Sequence, residues 1–173
     1  MTRIVMINER TIQLEDIEFM FRPNLEGRQE KYNRAGARYF NIIVEPEDVD
    51  ILRDYGVNVK TYTPKPREDG SELPEGINEI YFFKVNVYYQ YTKPTVVIVH
   101  DNCQADIDEE IHSLDKTYLD EDSVSMVDSM EIELCDVILN RRDPSPDGIY
   151  ARINLKTMYI RIKPDPLQAK WGI

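Results

Sequence analysis

The sequence predicts a mostly β fold, a small barrel with one short helix and long loops. Three observations carry that expectation. Stretches in which apolar and polar residues alternate with period two recur along the chain. Only one segment has both a helix start and a helix stop signal. The repeated strand–helix units that a parallel α/β sheet requires are absent.

Residues 11–15, TIQLE, alternate and read as a strand. Residues 38–44 read as a second strand, more fully buried at its apolar end. Pro46, Glu47 and Asp48 then open a helix that runs to about residue 54 and stops at Gly56, with Val49, Leu52 and Tyr55 as its buried face. Residues 57–62 alternate again. Residues 64–78, rich in Pro, Gly and charge, are expected to form a mobile loop. Residues 81–89 and 95–100 are strong strands, read as a hairpin joined by 90–94. Residues 104–130 are compatible with short helices or with an acidic loop carrying one strand. Residues 130–140 form a further strand, DPSPDG a turn, and residues 149–162 the last strand, which Pro164 and Pro166 end.

At 173 residues the chain has the length of one domain and enough residues to bury a core. That domain spans 1–173, with the 64–78 loop, an acidic insertion at 101–130 and a tail at 164–173. Hydrophobic residues at 42% and aromatics at 10% fit a globular chain rather than a disordered one. No apolar run approaches the roughly 20 residues of a membrane helix. The first residues, MTRIVMINERTIQLED, carry charges too closely spaced for a secretory signal. Cys103 and Cys135 form no CxxC pair, so a reduced, cytosolic protein is expected.

A net charge of −11 argues on its face against nucleic acid, but the charge is segregated. Residues 101–136 hold 13 Asp and Glu and one Lys, a net of −12, so the remaining 19 acids and 20 bases carry +1. Residues 141–163 hold six Arg or Lys against two Asp. Residues 21–43, FRPNLEGRQEKYNRAGARYFNII, combine five cations with four aromatic rings. Guanidinium and ammonium groups fit phosphates, and flat rings stack on unpaired bases, which is what a groove for single-stranded nucleic acid needs. The plainer alternative is an ordinary basic surface loop with Tyr39 or Phe40 in the core. In the 81–89 strand, Tyr81, Phe83, Val85, Val87 and Tyr89 share one face and Phe82, Lys84, Asn86 and Tyr88 the other. In the last strand, Tyr150, Arg152, Asn154, Lys156, Met158 and Ile160 are expected on one face, with Ile153, Leu155, Tyr159 and Arg161 on the other.

Other chemistry has weaker support. His100, Cys103, His112 and Cys135 are a conceivable zinc set, but without the paired spacing such sites show, and a buried free thiol is the simpler reading of each cysteine. Asp106, Asp108 and Glu110 lack the Gly and later Glu of an EF-hand loop. GxSxG, P-loop, HExxH and GxGxxG motifs are absent, so no catalytic activity and no cofactor are expected.

The stretch FRPNLEGRQEKYNRAGARYFNIIVEPEDVDILRDYGVNVKTYTPKPRE resembles the single-stranded DNA-binding proteins of tailed bacteriophages. It keeps Phe21, Arg22, Gly27, Tyr32, Asn33, Gly36, Arg38 and Phe40, then Gly56, Asn58, Val59 and Lys60, then Pro66, Arg67 and Glu68. Residues 84–87 and 155–159 fit as well. The resemblance covers most of the chain and is most specific over its first 70 residues. It implies an OB-fold, a five-stranded barrel with elaborated loops, that binds single-stranded DNA without strong sequence preference during phage replication and recombination. It also implies the cytoplasm of the infected bacterial host as the location, phage replication or recombination proteins as partners, and a homodimer as an option. One departure concerns the end of the chain. Family members often close with an acidic tail, whereas KPDPLQAKWGI has no acidic run. Either residues 101–136 take that role or the partner contacts differ.

On this reading Arg22, Arg28, Lys31, Arg34, Arg38, Lys60 and Arg67 contact phosphates, and Tyr32, Phe40, Tyr62 and Tyr88 stack on bases. Asn24, Asn33, Lys65, Lys84, Arg152 and Lys156 complete the expected binding surface. Two alternatives belong to other classes. One is an acidic nucleic-acid mimic that inhibits a host enzyme, working through Asp120, Glu121 and Asp122. The other is a metal-dependent nuclease built from scattered acids.

Overall fold

The computed structural model describes residues 2–64, 79–90, 92–101 and 114–163. Within them the alternating segments become ten strands of one sheet. β1 (Arg3–Asn8) and β2 (Thr11–Glu15) form an antiparallel hairpin, and β3 (Phe19–Asn24) follows after a bend. β4 (Arg38–Val44) pairs antiparallel with β3 on one edge. A 3-10 turn at Pro46–Asp48 leads into α1 (Val49–Asp54) and on to β5 (Lys60–Tyr62). β6 (Ile80–Val87) pairs with β4 along one edge and with β5 along half of the other. β7 (Thr95–Asp101) and β8 (Leu114–Leu119) pair antiparallel. A 3-10 segment, Val124–Ser129, precedes the two longest strands, β9 (Ile132–Arg142) and β10 (Arg152–Ile162), which run antiparallel to each other.

β2 and β3 act as one bent strand, and this closes the barrel. β2 pairs with β9, β3 pairs with β4, and between them Asp16 adopts φ +56° to turn the chain. At the bend the Ile17 N–H donates to the Cys135 carbonyl at 2.9 Å, and the Ile43 N–H donates to the Glu18 carbonyl at 2.9 Å. The path β2–β9–β10–β6–β4–β3 therefore returns to its start. Counting β2–β3 as one strand, five strands enclose the core, as the OB-fold expectation required. Their inward residues, among them Ile12, Leu14, Phe40, Ile42, Phe83, Val85, Leu139 and Met158, are buried together.

The helix seals one end of this core through Val49 and Leu52. It stops where the sequence indicates. Gly56 takes φ +91°, its N–H bonds the Arg53 carbonyl, and the Val57 N–H bonds the Leu52 carbonyl, both at 3.0 Å. Ala151 packs so close that a β-carbon at position 56 would lie 3.2 Å from its own.

Two expectations are corrected by the pairing. The 81–89 and 95–100 segments are not a hairpin. β6 and β7 both run parallel to β10, which takes β6 at Asn154 and β7 from Thr157 to Arg161, so they point the same way and cannot pair antiparallel with each other. The face assignment in the last strand also changes partway. Between Leu155 and Thr157 the register with β9 slips by one residue. This bulge inverts the alternation, so Met158 and Ile160 join Ile153 and Leu155 in the core, and Tyr159 and Arg161 turn outward.

Candidate nucleic-acid interface

The barrel's inner side is set by the apolar residues, and its outer side follows from register. Phe40, Ile42, Phe83, Val85 and Val87 point inward, which turns Tyr39, Asn41, Phe82, Lys84 and Asn86 out. The in-register pairs Tyr39–Asn86 and Asn41–Lys84 place these groups side by side across β4 and β6. The same row continues through Asn154 of β10 to Asn140 of β9. A polar, cationic strip thus crosses four strands of the outer face, over the buried core.

At one end of the strip stands a cluster of rings. Between Met20 and Asn24 the register of β3 with β4 slips, and Phe21 in that bulge takes φ +63°. A positive φ at a bulky residue carries strain of about 1–3 kcal/mol. Its outcome here is a ring that leaves the core and is 57% exposed. Phe21 meets Tyr62 and Phe82 edge to face, with centroids 5.8 Å away in each case. Lys60 sits in register with Phe82. Beside this cluster a depression is lined by Arg22, Arg28, Glu30, Tyr39 and Asn41. The Lys84 ammonium lies 4.7 Å from the Tyr39 ring centroid. Burial, and secondarily the charge of Lys60, lowers the Lys84 pKa, with Glu30 opposing. Burial, together with the 2.8 Å hydrogen bond donated to Glu30, pushes Tyr39 up to about 12.

The loop at 25–37 is stitched rather than loose. Asn24 Oδ1 accepts from the N–H groups of Gly27 and Arg28 at 3.1 and 2.9 Å, while its Nδ2 donates to the Arg28 carbonyl and to Glu30. Asn33 Nδ2 donates to the carbonyls of Arg28 and Ala37. The Gly36 N–H bonds the Gly27 carbonyl at 2.8 Å, and a β-carbon on Gly27 would press within 3.1 Å of the Gly36 backbone. The tip of this loop displays Lys31, Tyr32 and Arg34, with Tyr32 89% exposed. At the opposite end of the strip, Tyr88, Lys93, Arg142, Arg152 and Lys156 surround a pocket of about 520 Å³.

The structure therefore sorts the expected residues. Arg22, Lys60, Tyr62, Lys84, Tyr88, Arg152 and Lys156 lie on or beside the outer strip, Arg28 lines its depression, and Lys31, Tyr32 and Arg34 crown the loop. Phe40 does not belong with them. Its ring is 0% exposed and packs edge to face on Phe19, so no base reaches it. Asn24 and Asn33 are buried and hold the loop from within. Arg38 points to the inward side of β4. Its Nε donates to the Leu25 carbonyl at 3.0 Å, its guanidinium lies over the Tyr89 ring, and it pairs with Glu121. Lys65 and Arg67 lie outside the described residues. Phe21, Phe82, Lys93 and Arg142 are additions. The period-two parity of 81–89 already put Phe82 on the polar face, but no local signal marked the β3 bulge.

The acidic segment is partly structural. The buried Asp128 carboxylate accepts the backbone N–H groups of Leu25 and Glu26, and the Arg22 Nε donates to the Asp128 carbonyl. Asp120 accepts from Ser123, which holds its carboxyl below the usual range, and Glu121 faces Arg38. Among the described residues no group of three or more His, Cys, Asp or Glu is arranged to hold a metal ion. Cys103, His112, Asp106, Asp108 and Glu110 lie outside them, as does the His100 side chain. Cys135 is a buried free thiol, its pKa raised by burial.

No curated protein matches the sequence. In three dimensions the chain is similar to a single-stranded DNA-binding protein from bacteriophage Enc34 in complex with ssDNA, at TM-score 0.50 and 8% identity, covering 90% of this chain and 88% of that one. A C-terminal truncation of that phage protein aligns at TM-score 0.49 and 9% identity, covering 95% of this chain and 98% of the other. At such identities the likeness concerns the fold. The family model described as "Putative phage ssDNA-binding domain" matches residues 1–172. The chain belongs to this family of phage single-stranded DNA-binding domains.

Proposed function

We infer that the chain binds single-stranded DNA, without strong sequence preference, along the outer strip from the Phe21–Tyr62–Phe82 cluster to the Arg152–Lys156 end. The observation that carries this reading is the cluster itself. Three aromatic rings stand on the outside of a barrel wall, beside Lys60 and Lys84, where no apolar core needs them. Rings of this kind stack on bases of any identity, and cations track the backbone. The complex of the phage Enc34 protein with ssDNA shows that a related fold takes this ligand. Loop 25–37, preorganised by Asn24 and Asn33, brings Lys31 and Arg34 toward the strand's phosphates.

The chain acts by binding rather than by catalysis, in phage DNA replication or recombination within the infected host. The proteins of those processes, and a second copy of the chain, are its proposed partners. Fluorescence anisotropy with a labelled oligo-dT of roughly 30 nucleotides, at two salt concentrations and with a duplex control, tests the reading. Salt-sensitive binding to the single strand in preference to the duplex is expected. No binding at low salt would overturn it and turn attention to the acidic surface.

A further inference from the structure

The pocket of about 520 Å³ at the far end of the strip is built differently from the rest of the face. Its size falls within the range of small-molecule sites. Lys93, Arg142, Arg152 and Lys156 line it, and among the described residues no carboxylate does, in a chain of net charge −11. None of these four cations has an acidic partner among the described residues, and Arg152 Nε is steadied by the Asp143 carbonyl at 3.0 Å. The Tyr88 ring forms one wall and is 46% exposed. Asn140 and Asn154 stand opposite each other in register in the same lining. Asn154 Oδ1 is shielded from solvent and accepts no hydrogen bond from the described residues. An unpaired amide oxygen carries a desolvation penalty, which is relieved if the side chain shifts to set Oδ1 against a donor brought into the pocket.

We propose that this pocket takes a single unstacked nucleotide unit. The base lies against Tyr88 and donates from its pairing edge to Asn154 Oδ1, and its flanking phosphates sit on Lys93, Arg142, Arg152 and Lys156. The proposal rests on the single-stranded DNA reading and deepens it. The ring cluster at the other end stacks bases without distinguishing a base from any other flat surface. The pocket demands a base edge, and every DNA base carries an N–H donor there. It therefore anchors one nucleotide at a fixed place, instead of letting the strand slide freely across the face.

The test compares two strands of equal length and charge on the full chain, an oligo-dT and a fully abasic sugar-phosphate oligomer, by anisotropy at low salt. Wild type and Asn154→Leu are measured on both, with Asn154→Ser as a second variant should leucine disturb the fold. The expected result is a weakening of about tenfold for the variants on oligo-dT, in line with a lost base-edge hydrogen bond, and little change on the abasic strand. Equal weakening on both strands, or no weakening on either, would overturn the proposal while leaving single-stranded DNA binding intact. Failure of the wild type to bind either strand would instead sink the underlying reading. Displacement of labelled oligo-dT by free dTMP in wild type, reduced in Asn154→Leu, would support the same chemistry with a free mononucleotide as a second source. Displacement equal in both proteins would count against it.

Discussion

Asp128 accepts the backbone N–H of Leu25 at 2.8 Å, across more than 100 residues of chain. A carboxylate from the most acidic part of the sequence thereby fixes the first residue of the basic loop, and it accepts the Glu26 N–H as well. Asp128→Ala should leave buried N–H groups unpaired, at about 1–3 kcal/mol. Thermal unfolding should show a fall in Tm of roughly 2–4 °C per kcal/mol. Asp128→Asn keeps one acceptor oxygen but sets an amide NH2 against a backbone N–H where the second oxygen stood, so it should recover only part of the lost stability. Equal Tm values for wild type and the alanine variant would remove Asp128 from the scaffold.

Phe40 and Phe21 should separate stability from binding. Phe40→Ala empties a filled core position and should destabilise the fold by about 3–5 kcal/mol. Phe21→Ala removes an exposed ring and leaves the backbone strain at φ +63° in place, so unfolding should change little. Its loss, like that of Tyr62, should weaken single-strand affinity by about 1–3 kcal/mol. Denaturant midpoints and oligo-dT titrations on the same samples would show whether the two effects divide this way.

Arg34 and Arg38 should differ although both belong to the basic segment. Arg34 stands at the exposed loop tip, and its replacement by Ala should lower the slope of log affinity against log salt by about 0.7. Arg38 is held by the Leu25 carbonyl, the Tyr89 ring and Glu121. Arg38→Ala should reduce stability and leave the salt slope nearly unchanged. A matching slope change in both variants would put Arg38 in the groove.

Affinity should fall with rising pH in a window set by Lys84. Burial and the Lys60 charge lower the pKa of Lys84 in the free protein. A phosphate placed beside it favours the charged form and raises that pKa again. Between the free and bound values the complex holds more protons than the free protein, so binding takes up a proton and weakens as pH rises through that window. Lys84→Arg, charged throughout, should flatten the profile. An identical pH profile in the variant would rule out Lys84 as the source.

How far the sequence carried these conclusions differs from element to element. The strands at 11–15, 38–44 and 81–87 were readable because each buries one face and alternates accordingly. β1 was not, since its residues are mostly exposed and alternate weakly. β3 was hidden by its bulge, and the β6–β7 relationship by a pairing partner, β10, more than 50 residues downstream. Within the binding segment, the most motif-like residues turned out to be architectural. Asn24, Gly27, Asn33, Gly36 and Arg38 fold the loop, because tight turns and buried amides tolerate few residue types. The added residues that face the strand's expected path, such as Phe21, Lys93 and Arg142, satisfy looser demands. They emerge only once register shows which side of the barrel is wet.

The central claim is that single-stranded DNA lies on the outer strip of β4, β6, β10 and β9 and on the ring cluster at its end. Ultraviolet crosslinking of oligo-dT to the full chain, followed by mass-spectrometric mapping of the modified residues, tests it most directly. Crosslinks at Phe21, Tyr62, Phe82 and Tyr88 are the predicted result. Crosslinks confined to Tyr118, exposed on β8 away from the strip, would contradict it.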